Sequence, residues 1–346
     1  MSGIYFHMKF KKINAKSVFT ALLTAVTLAS LILTPVFCRK GKAVESDGVK
    51  YEAIINVWHI DTFDGGVGSR AAFLQKRADE FTKTHKSAPI LVTSRTCLSV
   101  AEDFKRGVYP DAVSYGIGGI DPSAFLPLKR GGLFGGGAVN GKFYGAAYLR
   151  GQYFLFSKTP APDFNAGGIM VYSAENYSTI SAAAAAGIKG KFVYSDKAQA
   201  ARRFLNDENA CFIGTQRDLY RLKAANAEFT ATPISEFCDL YQYLSIITDD
   251  EVKNARIVEF LDYLLSDAAQ KKVFGLMMLP IIGGITADDA DADLTAAYSK
   301  NPEYTLSPYL MKSEIEKVKS AAEKTLDGGE AYTDKRAEFI NLLKHL

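Results

Sequence analysis

Chemistry in a chain begins with its histidines, carboxylates, serines and arginines, and in these 346 residues they are thinly spread. The four histidines, His7, His59, His85 and His345, stand far apart, so no metal set and no Ser/His/Asp arrangement can be built from their spacing. His59 is the exception to weigh. It follows Trp58 at the end of an apolar run, where a histidine is either a solvated strand-end residue or a ligand contact. Gly65-Gly66-Val67-Gly68-Ser69 could cradle an anion on free N–H groups at a helix start. It lacks the lysine of G-x-x-x-x-G-K-[ST] and the full G-x-G-x-x-G spacing, which favours a helix-entry turn that also touches a ligand over a nucleotide site. Asp111, with Ser114 and Tyr115 after it, could serve acid/base work, although an aspartate capping a strand end is the commoner case. Arg150 and Arg217 fit an anionic or hydroxyl-rich ligand, or simply a solvated surface.

Aromatic content adds a second hint. There is one tryptophan, Trp58, against 18 tyrosines and 22 phenylalanines. Tyrosine offers a flat apolar face and a hydroxyl, which suits small polar ligands. Cys97, Cys211 and Cys238 are odd in number and widely spaced, so they form neither a disulfide framework nor a zinc set. Buried free thiols are the expectation, with a Cys211–Cys238 bridge as the alternative. No cofactor and no metal are expected.

The elements that would position these residues follow from pattern. Ile54 to Ile60 reads as a strand, the glycine-rich turn follows, and Leu74, Ala78 and Phe81 mark one face of a helix ending near His85. Pro89–Thr93 and Asp111–Gly116 are further strands, with a short helix over Leu98–Gly107 between them. This is a parallel α/β opening, and its first turn lies at the carboxyl end of a strand, where such sheets bind ligands. Ile117 to Gly145 is glycine-rich and loop-like. Strands resume over Lys142–Tyr148 and Tyr153–Lys158, and the polar Leu149-Arg150-Gly151-Gln152 between them has the character of a crossover between lobes. Later come a strand at Phe192–Tyr194, a helix through Ala198, Ala201 and Leu205, and a strand from Cys211 that ends in polar Gln216-Arg217. Phe237–Ile247 is strand-like. A long helix is expected over Glu251–Phe274, with Val258, Leu261, Leu265 and Ala268 inward, and two helices close the chain.

Composition is ordinary for a globular protein, 48% apolar and 23% charged. The formal charge of +3 rests on Lys9, Lys11, Lys12 and Lys16; without them 37 basic residues face 38 acidic ones. That balance argues against nucleic acid as a partner. Those lysines precede Val18–Phe37, an uncharged run long enough to span a bilayer. Lysines before the run predict a cytoplasmic start and an exported body. Residues 1–38 are thus a signal peptide or membrane anchor, whether cleaved, retained or lipidated at Cys38, and 39–50 a linker.

Taken in order, several segments resemble the extracellular solute-binding proteins of ABC importers, the family that includes maltose-binding proteins. Val57-Trp58-His59 with Arg70, Phe73-Leu74 and Ala78–Phe81 is similar to the family's first strand and helix. Gly107–Ser114 is similar to its "small–x–x–Pro-Asp–apolar–apolar" segment. Gly141–Tyr148 looks like its "Gly-Lys-x-Tyr-x-x-Pro" strand, with Ala147 in place of the proline, and Ala255–Val273 resembles its most specific helix. The match runs through most of residues 51–285.

The resemblance implies an α/β protein with a two-lobed periplasmic-binding-protein-like fold and a ligand cleft between lobes that close about a hinge. Residues 51–150, rejoined by 245–282, would form the first lobe; 151–244, with helices from 283–346, would form the second. Contacts to a small polar solute, carbohydrate among the candidates, would come from Trp58, His59, Asp61, Gly65, Ser114, Tyr115, Tyr148, Arg150 and Gln152. Gln216, Arg217 and Tyr241 would face them. Asp163–Lys191 is shorter than the family's usual insertion, which predicts a small second lobe. The implied partner is the permease of an ABC importer at the extracellular face of a bacterial cytoplasmic membrane, served by a non-enzymatic, tethered monomer. A solute sensor or adhesion subunit, and an exported hydrolase using Asp111 or His59, are the competing readings.

Overall fold

The computed structural model describes residues 53–85, 88–128 and 142–346, together with Thr24. Residues 1–50 form a unit of their own. The expected anchor, Cys38 and the linker lie outside the described residues, as do residues 129–141 of the glycine-rich loop. Among the described residues no helix is long and apolar enough to cross a membrane.

The first strand, β1 (Ile55–Ile60), buries Ile55, Val57 and Ile60 completely, as its β-branched residues require. Ser69 then caps helix α1 (Arg70–Thr84), its hydroxyl accepting from the Ala72 N–H at 3.2 Å. The inward face of α1 is Leu74, Ala78 and Phe81, the expected stripe, joined by two buried arginines, Arg70 and Arg77. β2 (Ile90–Arg95), α2 (Cys97–Lys105) and β3 (Ala112–Tyr115) complete the parallel opening. Asp111 holds the entry of β3, accepting from the Asn56 N–H at 2.7 Å and pairing with Lys253 at 2.9 Å. That is a structural use of the carboxylate, not an acid/base one.

β4 (Ala146–Arg150) and β5 (Tyr153–Ser157) follow, then β6 (Ile169–Val171), α3 (Thr179–Ala186), β7 (Phe192–Tyr194) and α4 (Lys197–Asn206). β8 (Cys211–Thr215) runs directly into α5 (Gln216–Ala224), which precedes β9 (Thr230–Pro233) and β10 (Tyr241–Ile246). After α6 (Glu251–Leu264) and α7 (Asp267–Lys271) come α8 (Ala292–Tyr298), α9 (Lys312–Leu326) and α10 (Tyr332–Lys344). The strands form two five-stranded sheets, ordered β2-β1-β3-β10-β4 and β7-β6-β8-β5-β9. β10 lies antiparallel between β3 and β4, and β5 antiparallel between β8 and β9.

Two expectations need correction. Glu251–Phe274 is not one helix: Ser266 adopts an extended backbone and caps α7, its hydroxyl facing the Ala269 N–H at 3.4 Å. A serine that bonds its own backbone breaks a helix more readily than it continues one. The buried face is accordingly Ile257, Phe260, Leu261 and Leu264, while Ala268 is exposed. Second, the chain returns to the first sheet at Tyr241, before residue 245. α9 and α10 pack over α3, whose alanines allow close approach and leave seven of its residues buried.

The lobes are joined by three crossings that bond to one another. Arg150 exchanges both backbone hydrogen bonds with Leu279, at 3.0 and 2.8 Å, and the Gly151 N–H donates to the Leu240 carbonyl at 2.6 Å. A Cβ on Gly151 would lie 2.7 Å from Gln216 Oε1 and 2.9 Å from Leu240 Cβ. Gly151→Ala is therefore expected to cost about 1–3 kcal/mol, the usual price of overpacking, read as a lowered urea midpoint. An unchanged midpoint would show that the crossing is not tightly packed.

Candidate functional site

A cavity of about 690 Å³ opens between the carboxyl ends of β1 and β2 and the turn 174–177 of the second lobe. Its lining includes Asp61–Asp64, Ser94–Leu98 and Ala174–Tyr177. The cavity lies at the carboxyl ends of two parallel strands, the side of the sheet on which open α/β folds bind ligands.

Asp61 is the expected contact that lines it. Its Oδ1 accepts from Arg70 Nε at 2.8 Å and from His59 Nε2 at 3.0 Å, and its side chain is half exposed. Burial alone would raise this carboxyl, but the His59 hydrogen bond and the Arg70 charge bring it down to about 2. Arg70 is buried, donates to the Phe63 carbonyl at 2.5 Å and lies 4.0 Å over the Phe63 ring. Removing Asp61 would leave that guanidinium uncompensated.

Behind Asp61 the structure lines up three residues that spacing could not connect. His59 Nδ1 lies 3.0 Å from Ser114 Oγ, so Asp61, His59 and Ser114 stand in a row. Their exposure is the reverse of a hydrolase's. Ser114 is wholly buried and its hydroxyl also meets Tyr148 OH at 2.8 Å and Gln242 Nε2 at 2.9 Å, while the carboxylate faces the cavity. No substrate carbonyl reaches that hydroxyl, and no nucleophile emerges from this row.

The remaining expected contacts lie elsewhere. Trp58 is covered by the Arg95 guanidinium, 4.5 Å from its ring, and packs against Phe104. Tyr115 points into the core, against Phe125 and Tyr243, with its hydroxyl 3.1 Å from Ser245 Oγ. Tyr241 is buried beside Tyr243. Gly65 borders the Arg70 side chain. Arg150 donates to Gln152 Oε1 at 2.8 Å and to the Lys300 carbonyl at 3.0 Å, just past the end of α8, where a cation also meets the negative pole of the helix. Gln152 donates to the Ile234 carbonyl at 2.5 Å. Both side chains belong to the crossing.

Gln216 and Arg217 bridge the lobes. Gln216 accepts from the Gln152 N–H at 2.9 Å and donates to the Asp64 carbonyl at 2.6 Å; Arg217 donates to the Gly66 carbonyl at 2.7 Å. Tyr177 and Lys197 both meet the Asp64 carboxylate from the second lobe. Sequence reasoning missed Asp64, Arg95, Thr96 and residues 174–177. The carboxyl-end rule applied to β2 would have found Arg95 and Thr96; nothing local marks 174–177. Cys97 is half-buried at the cavity, while Cys211 and Cys238 are buried free thiols.

No protein-family model matches the sequence, and no curated protein matches it. Solved structures do. The cyclic α-maltosyl-1,6-maltose binding protein of Arthrobacter globiformis superposes with a TM-score of 0.55 at 12% identity, over 84% of this chain and 97% of that one. The galacto-N-biose/lacto-N-biose I-binding protein of the Bifidobacterium longum ABC transporter gives 0.52 at 13%, over 86% and 98%. The GacH receptor of Streptomyces glaucescens, solved free and with acarbose, gives 0.52 at 13%, over 84% and 98%. At these identities the likeness is one of fold: the chain has the two-lobed α/β fold of the periplasmic binding proteins.

Two buried groups set opposing pH slopes. Burial lowers the His59 pKa against the pull of Asp61, so below about pH 6.5 the unfolded chain takes up a proton that native His59 refuses. That contribution to stability is lost as pH falls. Burial raises the Asp239 carboxyl to about 7, although the Tyr153 hydroxyl, 2.7 Å away, favours its anion. Native Asp239 thus keeps a proton that the unfolded chain releases between about pH 4 and 7, a contribution lost as pH rises. His59→Gln should leave the unfolding free energy falling as pH rises from about 4 to 6.5, and Asp239→Asn should leave it rising. Urea titrations at several pH values decide it; equal slopes in the two variants would sink the assignment.

Proposed function

We propose that this protein is an exported solute-binding protein, which captures a small polar solute between its lobes and delivers it to the permease of an ABC importer. The observation that carries this reading is the cavity between the two lobes, walled by hydrogen-bonding side chains from both. Asp61, Arg95 and Thr96 come from one lobe, Glu175, Asn176 and Tyr177 from the other. Groups converging from two bodies on one polar space favour a ligand that holds them together, and the three crossings supply the hinge. Structural neighbours that bind sugars make carbohydrate the first candidate class. The charge order at the amino terminus supports export and tethering at the outer face of the cytoplasmic membrane, with the body acting as a monomer.

Thermal unfolding against sugars, amino acids, peptides, polyamines and oxyanions tests the proposal. A true ligand at a hundred times its Kd adds about 2.7 kcal/mol of stability. Tyr177 lines the cavity and spans it to Asp64, so Tyr177→Ala should weaken that ligand about tenfold or more, or about 1.4 kcal/mol. A flat response across the panel would count against solute capture.

A further inference from the structure

With His59 neutral, the state its burial favours, the row of side chains behind Asp61 admits a single assignment of protons. The Ile60 carbonyl can only accept, so the group of Gln242 that reaches it at 3.2 Å is the amide nitrogen, and the same nitrogen donates to Ser114 Oγ. The Asp61 carboxylate accepts from His59, which puts the imidazole proton on Nε2 and leaves Nδ1 as an acceptor. Ser114 therefore gives its one proton to His59 Nδ1, and its second lone pair takes the Tyr148 hydroxyl proton. Every donor in this row finds its acceptor, and His59, Ser114, Tyr148 and Gln242 are all buried. Both fixed donors, His59 Nε2 and Arg70 Nε, fall on Oδ1 of Asp61, and among the described residues no hydrogen bond occupies Oδ2.

Charge at the wall points the same way. Among the described lining residues Arg95 is the one cation, and its guanidinium is held by Asp103 on α2. Asp61, Asp64 and Glu175 are carboxylates, paired with Arg70, Lys197 and Lys312 in turn. An anion at Asp61 would face a carboxylate and, among the described lining residues, no cation free of a partner, whereas a ligand O–H or N–H meets a fixed acceptor.

We propose that Asp61 is the fixed hydrogen-bond acceptor of the cleft, oriented by the His59–Ser114–Tyr148–Gln242 row so that Oδ2 is left for the ligand, and that the site takes ligands presenting O–H or N–H donors and refuses anions. This rests on the cleft being the solute site. His59 is a positioning residue: it acts on the ligand through Asp61.

Two measurements on the full chain separate this proposal from the one beneath it. Long-range proton–nitrogen spectra of histidine-labelled protein, with four histidines to resolve, report the tautomer without any ligand. His59 should carry its proton on Nε2 and stay neutral below about pH 6.5, where a free imidazole is protonated. The Asp61 carboxyl carbon should titrate near 2 and move up toward the ordinary value of about 3.9 in His59→Leu, with His59→Gln restoring it in part. A proton on Nδ1, or an Asp61 that titrates normally in the native protein, overturns the row. The wild-type tautomer decides even where His59→Leu does not fold. Calorimetry with maltotriose, the glucosamine dimer and the galacturonic acid dimer then reads selectivity. The acid should bind at least about tenfold more weakly than the better of the other two, and Asp61→Asn should weaken that one about tenfold. Tightest binding of the acid, or an indifferent Asp61→Asn, overturns the selectivity. If none of the three binds, the selectivity falls together with solute capture for this class, and the tautomer alone stands or falls on its spectrum.

Discussion

The constraint on which the rest depends is the bonding of three crossing segments to each other. Arg150 and Gly151 sit in the middle, with Leu279 on one side and Leu240 on the other, held by backbone hydrogen bonds. Such bonds are obligatory wherever the backbone is buried. They leave the chain little choice of where the sheets separate: β4 ends and β5 begins within three residues. Gly151 is there because a side chain would meet Gln216 and Leu240. The side chains on the crossing are spent on the same task. Arg150 ties it to the end of α8, Gln152 to Ile234, and Gln216 ties it to the loop after β1.

That commitment decides what is left to meet a ligand. Polar residues on strands near the crossing look like contacts in a linear reading, yet their hydrogen-bonding capacity is already used within the protein. A buried polar group without a partner costs about 1–3 kcal/mol, which keeps these bonds made. In the proposed function ligand recognition falls to the loops at the strand ends, where Asp61, Arg95 and Tyr177 border the cavity and each has a fixed partner. The cleft of the proposed function is a thin layer over a hydrogen-bonded second layer, and the orientation of the outer groups is inherited from the inner ones.

Asp64 shows how the two lobes communicate. Its carboxylate faces Tyr177 and Lys197, and its carbonyl accepts from Gln216, so one residue of the first lobe is touched by three segments of the second. On the proposed reading, opening the lobes would break these contacts together, and a ligand in the same space would supplement them.

The sequence by itself determined the elements whose signal is local. Leu74, Ala78 and Phe81 mark the face of a helix by their 3.6 period, and the β-branched and aromatic content of Ile55–Ile60 reads as a strand. Segment order was also enough to suggest two lobes. Short polar elements such as α5, and three-residue strands such as β6, carry too little periodicity to be seen, and the break at Ser266 depends on a cap rather than a pattern. The site was decided by tertiary structure alone. Trp58 and His59 are neighbours in the chain but alternate across a strand, so one is covered by Arg95 and the other backs Asp61. His59 and Ser114 are 55 residues apart and meet because β1 pairs with β3 in one particular register. Residues 174–177 reach the cavity only because the second lobe folds over it. Distance along the chain holds no information about which carbonyl or hydroxyl will be nearest once two sheets have closed on each other.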